Sequence, residues 1–120
     1  MSMHEMALMG DILQIIQEDA FSHGITKIEK VELTVGEISN AMPDALVMAF
    51  EVFKEQNQHF IDGDAQLVIH MEKAEAECIF CSKKYVPDNR ISICPECDMP
   101  SGKIISGETF QVLSYEGSES

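Results

Sequence analysis

Residues 78–97 read CIFCSKKYVPDNRISICPEC. This stretch holds all four cysteines of the chain, as the pairs Cys78/Cys81 and Cys94/Cys97 with twelve residues between them. Each C-x2-C pair offers two sulfurs to one point, and the gap is long enough to turn the chain back on itself. Four thiolates meeting tetrahedrally form the closed coordination that structural zinc prefers. Iron–sulfur clusters use other cysteine spacings. No thioredoxin-like strand and helix accompany either pair, which disfavours a redox dithiol. A segment this short cannot bury enough core to fold alone, so metal binding supplies the missing free energy. The reading is a zinc-ribbon module over residues 74–107.

The flanks have regular periods. Upstream, Leu67, Ile69 and Met71 alternate with Gln66, Val68 and His70, which indicates a strand over 65–72 preceded by a turn at Asp62-Gly63-Asp64. Downstream, Phe110, Val112, Leu113 and Tyr115 suit a strand over 109–115, with residues 117–120 as a frayed end. Val31, Leu33 and Val35 mark a third strand over 26–35. Residues 4–23 follow a helical period through Met6, Met9, Leu13, Ile16 and Ala20, with Leu8, Ile12 and Ile15 widening the stripe. Gly24 is placed to close that helix in a left-handed cap. A second helix opens near Pro43 and buries Leu46, Ala49, Phe50 and Phe53. The expected fold is α+β: two helices packed on a small three-stranded sheet, formed by residues 1–73 plus 108–120, with the ribbon inserted between two sheet strands. The eight methionines read mainly as core filling, and His23, His59 and His70 as solvated.

The formal net charge is −13 over 120 residues. A surface of that sign repels phosphates, which excludes nucleic acid and anionic lipid as natural partners. The ribbon segment is closer to neutral, with Lys83, Lys84, Arg90 and Lys103 against Glu75, Glu77, Asp88, Glu96 and Asp98. No stretch approaches the roughly 20 apolar residues of a membrane span. The N-terminus lacks the basic and cleavable features of a secretory signal, so the expected compartment is the reducing cytoplasm, where paired cysteines hold metal more often than disulfides. No catalytic triad, phosphate loop or convincing carboxylate pair is present, so an enzyme is not expected.

One further chemical feature is Met3-His4-Glu5 at the head of the first helix. By itself it is weak. A histidine beside a helix start is more often solvated than a ligand, and Glu5 is favourable there through the helix dipole. In combination, Met3-His4-Glu5-Met6, the strand ending Val35-Gly36-Glu37-Ile38-Ser39, the Ala49-Phe50-Glu51 helix and the two C-x2-C pairs resemble the HypA/HybF family of nickel metallochaperones. The resemblance runs from Met3 to Tyr115. It implies Ni(II) as cargo at the N-terminus, with His4 as ligand flanked by Met3 and Glu5, and structural Zn²⁺ on Cys78, Cys81, Cys94 and Cys97. It also implies delivery to [NiFe]-hydrogenase, with urease as a second client in some bacteria, and two partners: a maturation GTPase and the hydrogenase large subunit.

The family begins its chain at Met-His-Glu, whereas Met1-Ser2 precedes it here. A start at Met3, a cloning extension and a native dipeptide all accommodate this. If Ser2 is the mature terminus, its amine, two backbone amides and the His4 imidazole make a square-planar N4 set suited to Ni(II) or Cu(II). A monomer and a domain-swapped homodimer are both compatible with the inserted module. The competing reading is a zinc-ribbon interaction adaptor that carries no exchangeable metal.

Overall fold

The computed structural model describes residues 3–88 and 92–119. The elements run α1 (Met3–Ser22), β1 (Lys27–Gly36), α2 (Pro43–Gln56), β2 (Ile61–Glu72), β3 (Glu75–Cys78), β4 (Lys84–Tyr85), β5 (Gly102–Ser106) and β6 (Phe110–Ser118). Among the described residues two three-stranded sheets result, ordered β2-β1-β6 and β4-β3-β5. This is the expected α+β architecture, with the second sheet inserted in sequence between β2 and β6.

The chain divides into two compact units. One comprises residues 1–33, 41–70 and 111–120, the other 34–40 and 71–110. Three of the four dividing points fall inside β1, β2 and β6, and the fourth lies between β1 and α2.

In the first unit, α1 buries Glu5, Met9, Ile12, Leu13, Ile16 and Ala20. Its end is closed by a Schellman motif: Ile25 N–H donates to Ala20 O at 2.9 Å and Gly24 N–H to Phe21 O at 3.2 Å. Gly24 adopts φ +75°, which glycine reaches without the steric cost of a side chain. Gly10 lets α2 approach, because a Cβ there would stand 3.3 Å from the Phe53 ring. Pro43 occupies the first turn of α2, where its missing N–H costs nothing. Leu46, Ala49 and Phe50 form the buried stripe of that helix. Val31 and Leu33 of β1 and Ile61 and Ala65 of β2 complete the core. Ile28 N–H donates to Phe60 O at the start of β1, and at its end, within the second unit, Glu37 N–H donates to Glu72 O, so β1 and β2 run parallel. Thr26 N–H bonds Ser118 O in the first unit and Gly36 N–H bonds Thr109 O in the second, so β6 runs antiparallel to β1.

Several expectations need correction. Ile15 is exposed, lying at the border of the α1 stripe. Of the methionines, Met9 is fully buried, but Met42, Met48, Met71 and Met99 are exposed. Met42 precedes α2 and Met48 falls off its Leu46/Ala49/Phe50 stripe, so neither fills the core. The Asp62-Gly63-Asp64 turn signal lies inside β2, on an edge strand that tolerates it; Asp62 Oδ1 accepts from Asp64 N–H at 2.8 Å. Gly117 and Ser118 belong to β6 instead of a frayed end, since Ser118 O pairs with Thr26.

In the second unit, β3 pairs antiparallel with β4 and β5, placing Glu77 opposite Lys84 on one side and Lys103 on the other. Gly102 lies under Tyr85, whose hydroxyl donates to Ser92 O at 2.9 Å; a Cβ at Gly102 would overlap that phenol.

Candidate metal centres

Cys78 closes β3, and Cys81 follows it in a tight turn where Ser82 N–H donates to Cys78 O at 3.0 Å. The second pair repeats the arrangement, with Asp98 N–H donating to Cys94 O at 2.8 Å. Ser82 (φ +62°) and Asp98 (φ +53°), each the residue after a second cysteine, both take the left-handed conformation that turns the chain around the sulfurs. Backbone amides face the thiols: Phe80 N–H reaches Cys78 Sγ at 3.4 Å, Cys81 N–H the same sulfur at 3.5 Å, and Cys97 N–H reaches Cys94 Sγ at 3.4 Å.

The four sulfurs lie within 4.8 Å of one another. Cys78 and Cys97 approach to 3.8 Å and Cys81 and Cys94 to 3.6 Å, and all four thiols are free. A disulfide would require about 2.05 Å. A tetrahedron of sulfurs at about 2.3 Å from a central zinc has edges of about 3.8 Å. The observed edges therefore fit one tetrahedral divalent cation. Cys78 and Cys94 are buried, while Cys81 is exposed. The buried Ser101 hydroxyl stands 3.1 Å from Cys78 Sγ. That contact, with the Cys81 amide, brings the Cys78 thiol down to about 6. The neighbouring Cys81 and Cys78 sulfurs then push Cys97 up to about 12. Cys78 ionises readily while Cys81 and Cys97 resist, as expected where a cation must balance the cluster.

The N-terminal candidates separate. His4 is exposed in the first turn of α1, whereas Glu5 is only 2% exposed. Glu5 Oε2 accepts from Met42 N–H at 3.2 Å, joining the start of α1 to the start of α2. The Met3 side chain, Met1 and Ser2 lie outside the described residues, as does Arg90. Among the described residues, the cysteines are the only group of three or more metal-ligating side chains drawn together. His70 and His23 are exposed but engaged: His70 Nε2 lies 2.9 Å from Glu32 Oε1, and His23 Nδ1 lies 2.8 Å from Asp19 O.

Two acids escaped the sequence reading. Glu37 Oε1 accepts from Ala74 N–H at 2.7 Å, and Glu72 Oε1 accepts from Gly107 N–H at 2.6 Å and Thr109 N–H at 3.3 Å. Glu37 thus fastens the chain just after β2, and Glu72 fastens the turn between β5 and β6. The Gly107 amide and Thr109 hold the Glu72 carboxyl below its ordinary range. Their only sequence signal was Glu37 within the Val35–Ser39 motif.

No described helix is long and apolar enough to cross a membrane. A family model described as "Hydrogenase/urease nickel incorporation, metallochaperone, hypA" matches residues 3–117. A hydrogenase maturation factor HypA from Desulfitobacterium hafniense is 35% identical over 98% of this chain and 100% of its own length. One from Rhizobium leguminosarum bv. viciae is 30% identical over 95% of this chain and 98% of its own. The solution structure of the nickel metallochaperone HypA from Helicobacter pylori aligns with TM-score 0.63 and 30% identity, over 94% of this chain and 96% of that one.

Proposed function

The chain belongs to the HypA family of nickel-incorporation metallochaperones, and from that premise we propose that it binds Ni(II) at its Met3-His4-Glu5 segment and delivers it to a maturing [NiFe]-hydrogenase. The observation that carries the reading is the contrast between two places on one chain. The four-sulfur cluster is closed and half-buried, whereas His4 stands exposed at a helix start. A closed tetrathiolate suits a resident ion that fixes shape. Cys78, Cys81, Cys94 and Cys97 would hold Zn²⁺, which contributes folding free energy to the ribbon and offers no open position for chemistry. An exposed imidazole suits cargo, because an acceptor's ligand can approach nickel while His4 still holds it. Glu5, flanking His4, also anchors this segment to α2 through its Oε2, which accepts from the Met42 amide.

The function is transfer, not catalysis. Its partners would be the maturation GTPase and the hydrogenase large subunit in the cytoplasm, with urease a second client. The acidic chain favours basic surfaces on those partners.

The test is nickel titration of zinc-loaded protein. Wild type should bind nickel stoichiometrically, and His4→Ala should abolish that binding while leaving zinc content and the circular dichroism spectrum unchanged. Undiminished nickel binding by His4→Ala would refute the site. No nickel binding by wild type would leave the ribbon adaptor as the better reading.

A further inference from the structure

We propose that the outer edge of β2, with the cleft between it and α2, receives an extended lysine- or arginine-bearing segment of another protein as an added strand. β2 is the end strand of the β2-β1-β6 sheet. Glu72 O faces β1, where it accepts from Glu37 N–H, so alternation directs the backbone groups of Ala65, Leu67 and Ile69 away from β1. Lys54 Nζ meets Ala65 O at 3.1 Å, reaching that outward side from α2. Beside this edge lies a cleft walled by Val47, Glu51 and Lys54 of α2 and by Gly63, Asp64 and Leu67 of β2. It adjoins a second space of about 500 Å³ that also borders Glu51, Lys54 and Gly63 and extends to Glu55. An open strand edge beside a helix is the setting in which an incoming peptide gains main-chain hydrogen bonds and a side-chain groove together.

Charge selects the occupant. Glu51, Glu55 and Asp64 rim the cleft. Lys27, held at Gln58 O, and Lys54, paired with Glu51 and held at Ala65 O, offset two of these acids, so the cleft is acidic by one charge within a chain of net −13. A second copy of this chain would bring the same net charge of −13 and be repelled, whereas a basic segment would be attracted. Edges that must stay unpaired commonly carry lysine or proline. Residues 65–71 of β2 contain neither. Lys54 guards one carbonyl with one ammonium, a contact that an incoming backbone N–H can replace.

The experiment is amide hydrogen exchange on zinc-loaded, isotope-labelled protein titrated with a blocked peptide alternating lysine and valine. At saturation, exchange at Leu67 and Ile69 should slow by about tenfold or more, as a new strand protects their amides. A glutamate–valine peptide should leave both unchanged, and so should a lysine–valine peptide N-methylated on its valines. Absence of slowing at Leu67 and Ile69 would overturn the proposal. Equal slowing by the glutamate peptide or by the N-methylated peptide would overturn it too. Protection that grows with protein concentration alone would assign the edge to a second copy and overturn it as well.

Discussion

Replacing Glu5 separates anchoring from nickel ligation. Glu5 is 2% exposed, and its Oε2 accepts from Met42 N–H at 3.2 Å. A hydrogen bond to a charged group contributes about 1.5–3 kcal/mol, and truncation also leaves the amide without that partner. Unfolding entropy is about 2.1 cal/mol/K per residue, so across this chain that loss corresponds to a fall in melting temperature of about 6–12 °C. Scanning calorimetry of zinc-loaded Glu5→Ala should show a fall of this size, and Glu5→Gln, which keeps an acceptor oxygen, should recover part of it. Nickel stoichiometry measured in parallel should survive in Glu5→Gln but not in His4→Ala. An unchanged melting temperature in Glu5→Ala would refute the anchoring role.

Gly36→Ala should cost about 3 kcal/mol or more in urea unfolding, because its Cβ would overlap the Gly107 carbonyl, whereas Gly63→Ala, whose Cβ meets nothing within 4 Å, should stay within about 0.5 kcal/mol. Ser101→Ala removes the hydroxyl 3.1 Å from Cys78 Sγ and should weaken zinc about 10–100-fold in chelator competition, with stoichiometry retained. Tyr115, hydrogen-bonded to Asp19 and partly desolvated, is pushed up to about 12, so its phenolate absorbance should develop late and Asp19→Asn should bring it back toward about 10. Because that folded value lies above the unfolded one, the stabilisation is present below about pH 10 and is lost as pH rises toward about 12.

The sequence made the helices and the metal cluster legible for local reasons. An apolar period of 3.6 and a glycine stop define α1, and C-x2-C spacing places two sulfurs on one turn whatever surrounds it. That three strands share one sheet followed from apolar alternation in β1 and β2 and from the apolar content of the last strand; their order, β2-β1-β6, had no local signal. Tertiary pairing erased local signals elsewhere. Asp62-Gly63-Asp64 sits within an edge strand, and Ser118 is held by Thr26, 92 residues away. Met48 and Ile15 occupy borderline helical positions whose exposure depends on what packs opposite. Glu5, Glu37 and Glu72 were least legible as structural groups, because each meets a backbone amide 35 to 37 residues distant. Nothing in the neighbouring sequence announces such a contact.

Those three glutamates change what the acidity of this chain means for anyone re-engineering it. Among 21 acidic residues, a subset is not interchangeable solubilising charge, because their oxygens complete the main-chain hydrogen bonding of α2 and the ribbon. A campaign that raised the isoelectric point by wholesale amidation or lysine replacement would reach those acceptors along with the dispensable acids. Glu18, Glu55 and Glu119 can be redrawn with little consequence for folding. Glu5, Glu37 and Glu72 should be held fixed, as one would hold the cysteines fixed.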